Sequence, residues 1–250
     1  MLGALSDVGN VRQLNEDYMA YFEDEVVSVY LIADGMGGHN AGEIASALAA
    51  EKVIEYIKKH KEEEELKELI RNSIMYANRA VFDKSEGSYS LKGMGTTITV
   101  YISNGEKCMV ANVGDSCCYI IRDDELSKVT KDHSLVQQLI DEGSITEAEA
   151  RRHPNKNIIT RALGTGEDVV VDIFDLQKEG LEKVILCTDG LINDVQPEEI
   201  LDCIKRNENN AEACRELIDL AKVRGGRDNI TVMVIEGECS NDRNHIKQQI

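Results

Sequence analysis

Short runs of β-branched residues that break off beside an aspartate constrain the fold of this chain more than any other feature. The run 26–33 leads straight into Asp34-Gly35, 107–113 into Gly114-Asp115, and 183–187 into Thr188-Asp189-Gly190, while 230–235 directly follows Asp228-Asn229. A fifth run, 96–102, alternates Thr, Ile and Val. Runs of this length, bounded by Gly, Asp and Asn, predict strands. Between the first and second lie two stretches with apolar residues at helical spacing. One is 41–60, with Ile44, Leu48, Val53, Ile54 and Ile57 on a face; the other is 66–82, with Leu66, Leu69, Ile70, Met75 and Val81. Pro197 fits the first turn of a helix reaching about residue 205, and a further helix spans about 211–223 before Gly225-Gly226. Strands in two blocks, with one helical pair between them and another after, predict an α+β chain with antiparallel sheet and helices packed outside.

Segment 134–166 breaks this rhythm. A short helix ending at Gly143, a Thr146-x-x-Glu149 capping box and a polar stretch before Ile158 read as an inserted flap rather than core. No internal repeat or Gly-rich linker divides the chain. The expected organisation is a single domain over 1–237, its flap at about 134–166, and a polar tail at 238–250.

The position of the aspartates carries the chemistry. Asp34, Asp115 and Asp189 follow strand ends, and Asp228 precedes a strand start. In antiparallel sheet the end of one strand lies beside the start of its neighbour, so these carboxylates can gather at one rim. Such a cluster does not stay ionised without cations. Hard oxygen ligands select Mg²⁺ or Mn²⁺, and no H-E-x-x-H or Cys/His spacing points to zinc. One Asp-Gly alone would be an ordinary turn; four strand-end aspartates in Gly- or Asn-rich settings favour the metal reading.

Around the first of them, Ala-Asp-Gly-Met-Gly-Gly-His-Asn-Ala-Gly (33–42) holds four glycines, which let backbone approach a ligand closely. No Lys-Ser/Thr follows, so this is not a G-x-x-x-x-G-K-[ST] phosphate loop. Near the start of the chain, Arg12 stands four residues before the acidic pair Glu16-Asp17. On its own that is a surface ion pair; beside a metal rim, Arg12 is a candidate fork for phosphate.

Charge supports the need for cations. With Lys+Arg 28 and Asp+Glu 46, the formal charge is 28 − 46 = −18. Such a field repels nucleic-acid backbones, and repels a phosphorylated substrate unless cations intervene. The seven cysteines are odd in number and lack C-x-x-C spacing, which predicts reduced structural thiols. No apolar run approaches the ~20 residues of a membrane span. A cytoplasmic protein is the expectation.

Taken together, the stretches 6–17, 33–46, 93–100, 111–116, 131–134, 187–191 and 225–231 resemble, in order and over nearly the whole chain, the metal-dependent Ser/Thr protein phosphatase family (protein phosphatase 2C-like, PPM type) in its bacterial branch. The resemblance implies a four-layer α-β-β-α sandwich of two antiparallel sheets flanked by helices, with a mobile flap near the site. It implies hydrolysis of phosphoserine and phosphothreonine in proteins by metal-activated water. Asp34 would bridge two cations (Mn²⁺ or Mg²⁺), and the Gly35 carbonyl would complete the first. Asp189 and Asp228 would hold the second. Glu16 and Asp17 would orient water, and Arg12 would bind substrate phosphate. Asp115, with Asp189, matches the position serving a third, weaker metal. The implied partners are phosphorylated proteins and a cognate Ser/Thr kinase acting on the same targets, with the enzyme a monomer.

The sequence departs from the family pattern twice. Eukaryotic members carry histidine two residues after the bridging aspartate, where Met36 stands here; His39 nearby fits the bacterial pattern, its role open. The family's Gly-Asp-Ser is usually followed by Arg, where Cys117 stands here. Two other readings compete. A non-catalytic relative would have lost a metal aspartate, and all four positions are intact. An aspartyl-nucleophile enzyme wants Asp-x-Asp after its first strand, and Asp34-Gly35-Met36 supplies no second carboxylate.

Overall fold

The computed structural model describes residues 2–38 and 41–237. Its strands are β1 (Leu2–Asp7), β2 (Asp17–Glu23), β3 (Ser28–Met36), β4 (Gly95–Thr96), β5 (Ile98–Ser103), β6 (Cys108–Val113), β7 (Cys117–Arg122), β8 (Glu125–Lys128), β9 (Asp172–Leu176), β10 (Leu181–Cys187) and β11 (Ile230–Glu236). The helices are α1 (Ala41–His60), α2 (Leu66–Glu86), α3 (Leu135–Asp141), α4 (Glu147–Ala150), α5 (Asp189–Ile192), α6 (Pro197–Arg206) and α7 (Asn210–Val223). The strands form two sheets, one ordered β1-β11-β10-β7-β8 and the other β2-β3-β5-β6-β9 with β4 attached to β3. Every strand pairing is antiparallel.

Strand alternation sorts the apolar side chains into three seams, which stack as four layers. On β3, Val29 and Leu31 face α1 and α2, while Tyr30 and Ile32 face the other sheet. On β11, Ile230, Val232 and Val234 pack toward α6 and α7, while Met233 and Ile235 turn inward to the sheet–sheet seam. The period of two along a pleated strand makes this division. Because β3, β5, β6, β10 and β11 are covered on both faces, they read as continuous apolar runs, which is why the sequence marked them. The α-β-β-α sandwich is the architecture that the resemblance implied.

On α2 the buried stripe runs through Leu66, Leu69, Ile70, Ile74, Ala77 and Val81, whereas Met75 points outward at 42% exposure. Met75 therefore does not belong to the predicted face; Ile74 fills its place. Helix α6 begins at Pro197, as expected, with a Gln196/Glu199 capping box. The Thr146/Glu149 box is present on α4.

Residues 135–158 form the excursion that carries α3 and α4. Its ends are tied down: Ser134 bridges Ile159, and Leu163 bridges Thr96. Leu163 is fully buried against the α1–α2 seam, so packing takes the last residues of the expected flap into the core.

Candidate metal centre

The register of β2 on β3 sets Asp17 directly opposite Asp34. Asp34 lies within β3 and not after its end, a correction to the expected strand boundary. The strand continues because the backbone of Asp34 is fully engaged. Its N–H donates to Thr97 Oγ1 (2.9 Å), and its carbonyl accepts from the Thr97 N–H (2.8 Å) and the Thr96 hydroxyl (2.9 Å). Asp115 follows β6, Asp189 opens α5 just past β10, and Asp228 stands two residues before β11, as expected from the sequence.

Gly35 and Gly42 pack backbone to backbone beneath Glu16. A Cβ on Gly35 would lie 2.1 Å from the Gly42 carbonyl oxygen, and one on Gly42 would lie 2.3 Å from Glu16 Oε1. Neither position has room for a side chain without a shift, and the close approach seen here is that of the chain's own backbone and Glu16. His39 lies outside the described residues.

Asp17 joins the two sheets. Its Oδ2 accepts from the hydroxyls of Thr188 (2.9 Å) and Thr231 (2.7 Å), both on the other sheet's side of the rim. Its Oδ1 is buried without a hydrogen-bond partner, as are Glu16 Oε1 and Asp115 Oδ1. Arg12 reaches the same rim from the 8–16 loop. Its Nη2 lies 3.0 Å from each carboxylate oxygen of Asp228, and its Nη1 is 3.9 Å from Glu16 Oε2. The guanidinium therefore rests on an acidic residue at the rim, with nearly half of its side chain exposed.

Burial pushes the Asp34 carboxyl well above its ordinary range, and repulsion from Asp17, Asp189, Asp115 and Asp228 adds to it. Burial first and the Asp189 charge second push Asp115 up to about 8. Burial and Asp228 push Asp189 up to about 6. For Asp17 burial outweighs the two threonine hydroxyls and lifts it to about 7. Burial also raises Glu16, against the opposing pull of Arg12. Carboxylates under this much mutual strain hold protons near neutrality or take up cations.

Among the described residues no three His, Cys, Asp or Glu side chains close around one point as a ready cage. The carboxylates instead line a rim. That suits small hard cations, which keep much of their water and take one or two carboxylates each. Unpartnered buried oxygens, desolvated like charges and an all-oxygen donor set fit Mg²⁺ or Mn²⁺.

Several residues around the rim were given no role by the sequence. Asn229 is the clearest. Its Nδ2 donates to the carbonyls of Val8 (3.0 Å) and Leu14 (2.9 Å), and its Oδ1 accepts from the Glu16 N–H (2.8 Å). One buried amide thus clamps the loop bearing Arg12 onto the start of β11. Asn193 donates to Asp189 Oδ2 (3.0 Å) and accepts from Lys156 Nζ (2.6 Å), tying the excursion to the rim. Cys117 is fully buried beside Asp132, whose two oxygens each take a 2.7 Å contact from Lys128 Nζ. Burial pushes the Cys117 thiol well up, which makes it an inert packing group.

Comparisons with known proteins show the family and the fold. The family model described as Protein phosphatase 2C matches residues 10–222. The serine/threonine phosphatase stp of Listeria welshimeri is 37% identical over 92% of this chain and 93% of its own length. The serine/threonine protein phosphatase PstP of Mycobacterium tuberculosis is 38% identical over 93% of this chain and 44% of its own. The crystal structure of the M. tuberculosis phosphatase PstP/Ppp superimposes with a TM-score of 0.82 at 36% identity, covering 94% of this chain and 97% of that one. A structure of the PstP catalytic domain in complex with two manganese ions gives 0.79, also at 36% identity, covering 94% and 97%. This chain belongs to the protein phosphatase 2C family.

Proposed function

We propose that the rim hydrolyses phosphoserine and phosphothreonine in proteins, with Asp34, the Gly35 carbonyl, Asp189 and Asp228 holding two divalent cations and Asp115 serving a third. The observation that carries this reading is the set of buried, unpartnered carboxylate oxygens around Asp34 in a chain of this family. The chemistry supplied by two such cations is acidification of water and neutralisation of phosphoryl charge. The chain's own groups do the rest. Arg12 forks two phosphoryl oxygens once its bond to Asp228 is exchanged for substrate, and Asn229 holds the loop that presents it. Asp17 Oδ1 and Glu16 Oε1 are free to accept from the attacking water and aim it. Asp17 is itself fixed by Thr188 and Thr231, so the aim is set by both sheets.

Within this reading a Ser/Thr protein kinase supplies the substrates, and the enzyme acts as a cytoplasmic monomer. No helix among the described residues is long and apolar enough to cross a membrane. The deciding experiment is a phosphatase assay on phosphothreonine, phosphoserine and phosphotyrosine peptides with Mn²⁺, Mg²⁺ or chelator. Turnover of the first two, abolished by chelator and restored by Mn²⁺, is expected. Chelator-resistant turnover, or trapping of an acyl-phosphate, would overturn it.

A further inference from the structure

The turn that carries Asp115 is held by a histidine with no part in the chemistry above. His133 is 7% exposed. The Gly114 N–H donates to its Nδ1 (3.0 Å), and the His133 N–H donates to the Gly114 carbonyl (2.9 Å), so the two residues exchange a pair of hydrogen bonds. An amide nitrogen only donates, so Nδ1 carries no proton and the neutral ring keeps its proton on Nε2. That proton goes to Asp172 Oδ2 at 3.1 Å. Arg161 Nη1 lies 2.9 Å from Nε2 but is also a donor, so it sits beside the ring and sends its protons to Asp172 Oδ1 (2.7 Å) and the Val170 carbonyl (3.2 Å). The His133 carbonyl accepts from the Thr160 N–H (2.8 Å), next to the bridge of Ser134 with Ile159.

His133 therefore connects three things: its ring joins the Gly114-Asp115 turn to β9 through Asp172, and its main-chain carbonyl holds the returning end of the 135–158 excursion. The turn needs such support. Gly114 has φ +115°, a conformation that L residues avoid, and its neighbour Asp115 presents a buried Oδ1 with no partner to fix it.

We propose that His133 is the positioning residue of Asp115, its Nδ1 fixing the Gly114 amide and its Nε2–H anchoring that arrangement on Asp172. The proposal rests on Asp115 serving the metal centre, so the test separates the two ideas. Two variants split the ring's functions. In His133→Asn the side-chain oxygen takes the place of Nδ1 and still accepts from Gly114, while the bond to Asp172 is lost. In His133→Gln the amide reaches Asp172, while the acceptor for Gly114 is lost.

On a phosphothreonine peptide at saturating Mn²⁺, kcat should fall at least about tenfold in His133→Gln and recover to within about threefold of the parent in His133→Asn, with KM steady in both. In the cation-free protein, the Gly114 amide should exchange slowly in the parent and in His133→Asn, and at least about tenfold faster in His133→Gln. The ¹⁵N spectrum of the parent ring should show Nδ1 without a proton. Equal kcat in the two variants, equal Gly114 exchange, or a protonated Nδ1 in the parent overturns the proposal. A parent without Mn²⁺-dependent turnover defeats the functional reading instead, and the exchange and ¹⁵N measurements then decide the role of His133. If His133→Gln does not fold, the ring spectrum and the exchange in His133→Asn decide it.

Discussion

At the scale of single residues, the proposed reaction separates groups that bind from groups that aim. In that proposal Arg12 is the binding case, since its Nη2 already holds an anionic group at the rim, 3.0 Å from both carboxylate oxygens of Asp228, and its planar guanidinium can present two nitrogens to a phosphate. Arg12→Ala should raise KM for a phosphopeptide more than it lowers kcat, because the fork acts in ground and transition states alike. Arg12→Lys should recover part of that loss; a wild-type KM in Arg12→Ala would return the residue to a surface ion pair with Asp228. Asp115 is the opposite case. An asparagine there keeps the shape and removes the charge, so Asp115→Asn should melt like the parent and bind two Mn²⁺ by calorimetry, yet turn over at least roughly tenfold more slowly, about 1.4 kcal/mol in the barrier. Parent-like activity across a Mn²⁺ titration would make Asp115 a simple turn residue. The aspartates were legible because each stands at the edge of an apolar run. Asn229 was not, although it is as well connected as any of them, because its partners Val8, Leu14 and Glu16 are backbone groups more than two hundred positions away. Backbone partners leave no mark on a sequence.

Legibility at the scale of elements follows burial. Strands covered on both faces, such as β3, β5, β6, β10 and β11, show as apolar runs, and the amphipathic helices show by their spacing. Of the strands that escaped notice, β1, β2, β8 and β9 are half-exposed at sheet edges and β4 has two residues, while β7 was missed although it is central and buried on both faces. On β2, Asp17 is buried while Tyr18 and Tyr21 are exposed, so hydrophobicity and burial point opposite ways. Its place is set by pairing with β3 and by the hydroxyls of Thr188 and Thr231, neither of which is a local signal. The β7–β8 hairpin turns on Asp123-Asp124, both with positive φ (50° and 66°), without the Asn-Gly that usually marks such a turn. The start of α1 shows how tightly the elements fix the rim. Alanine is favoured over glycine in a helix by about 1 kcal/mol. Gly42→Ala should nevertheless destabilise the protein, by about 1–3 kcal/mol, because the added methyl meets Glu16 Oε1 and the Gly35 backbone. It should also displace Glu16 and slow turnover. A urea titration gives the first effect, and a variant as stable as the parent would show that α1 can shift without disturbing Gly35.

For the molecule as a whole, the carboxylate rim sets how stability responds to pH. In the cation-free protein Asp17, Asp189 and Asp115 have folded-state pKa values of about 7, 6 and 8, all above the 3.8 of an unfolded aspartate. The folded state then binds more protons than the unfolded chain between these limits, so stability falls as pH rises through that window. Other groups act in different ranges. Asp7, Asp172 and Glu199 are held below their ordinary values, and their contribution is lost only as pH falls into the acid range. Burial lowers His133, which makes stability rise with pH only up to its ordinary value of 6.5. Between pH 6.5 and 8 the rim is left to govern the slope. Chelator-treated protein should therefore lose on the order of 2 kcal/mol across this interval, about 4–8 °C in Tm for a chain of this length. Saturating Mn²⁺ should flatten this slope, because carboxylates that bind it carry no proton in the folded state and none in the unfolded chain at these pH values, while binding to the folded state adds about 2.7 kcal/mol at a hundredfold excess over Kd. Thermal melts at the two pH values, with chelator and with Mn²⁺, check both slopes. A chelator-treated protein whose Tm holds or rises from pH 6.5 to 8 would mean that Asp17, Asp115 and Asp189 are already ionised without a cation, and the rim would lose its electrostatic reason to take one up.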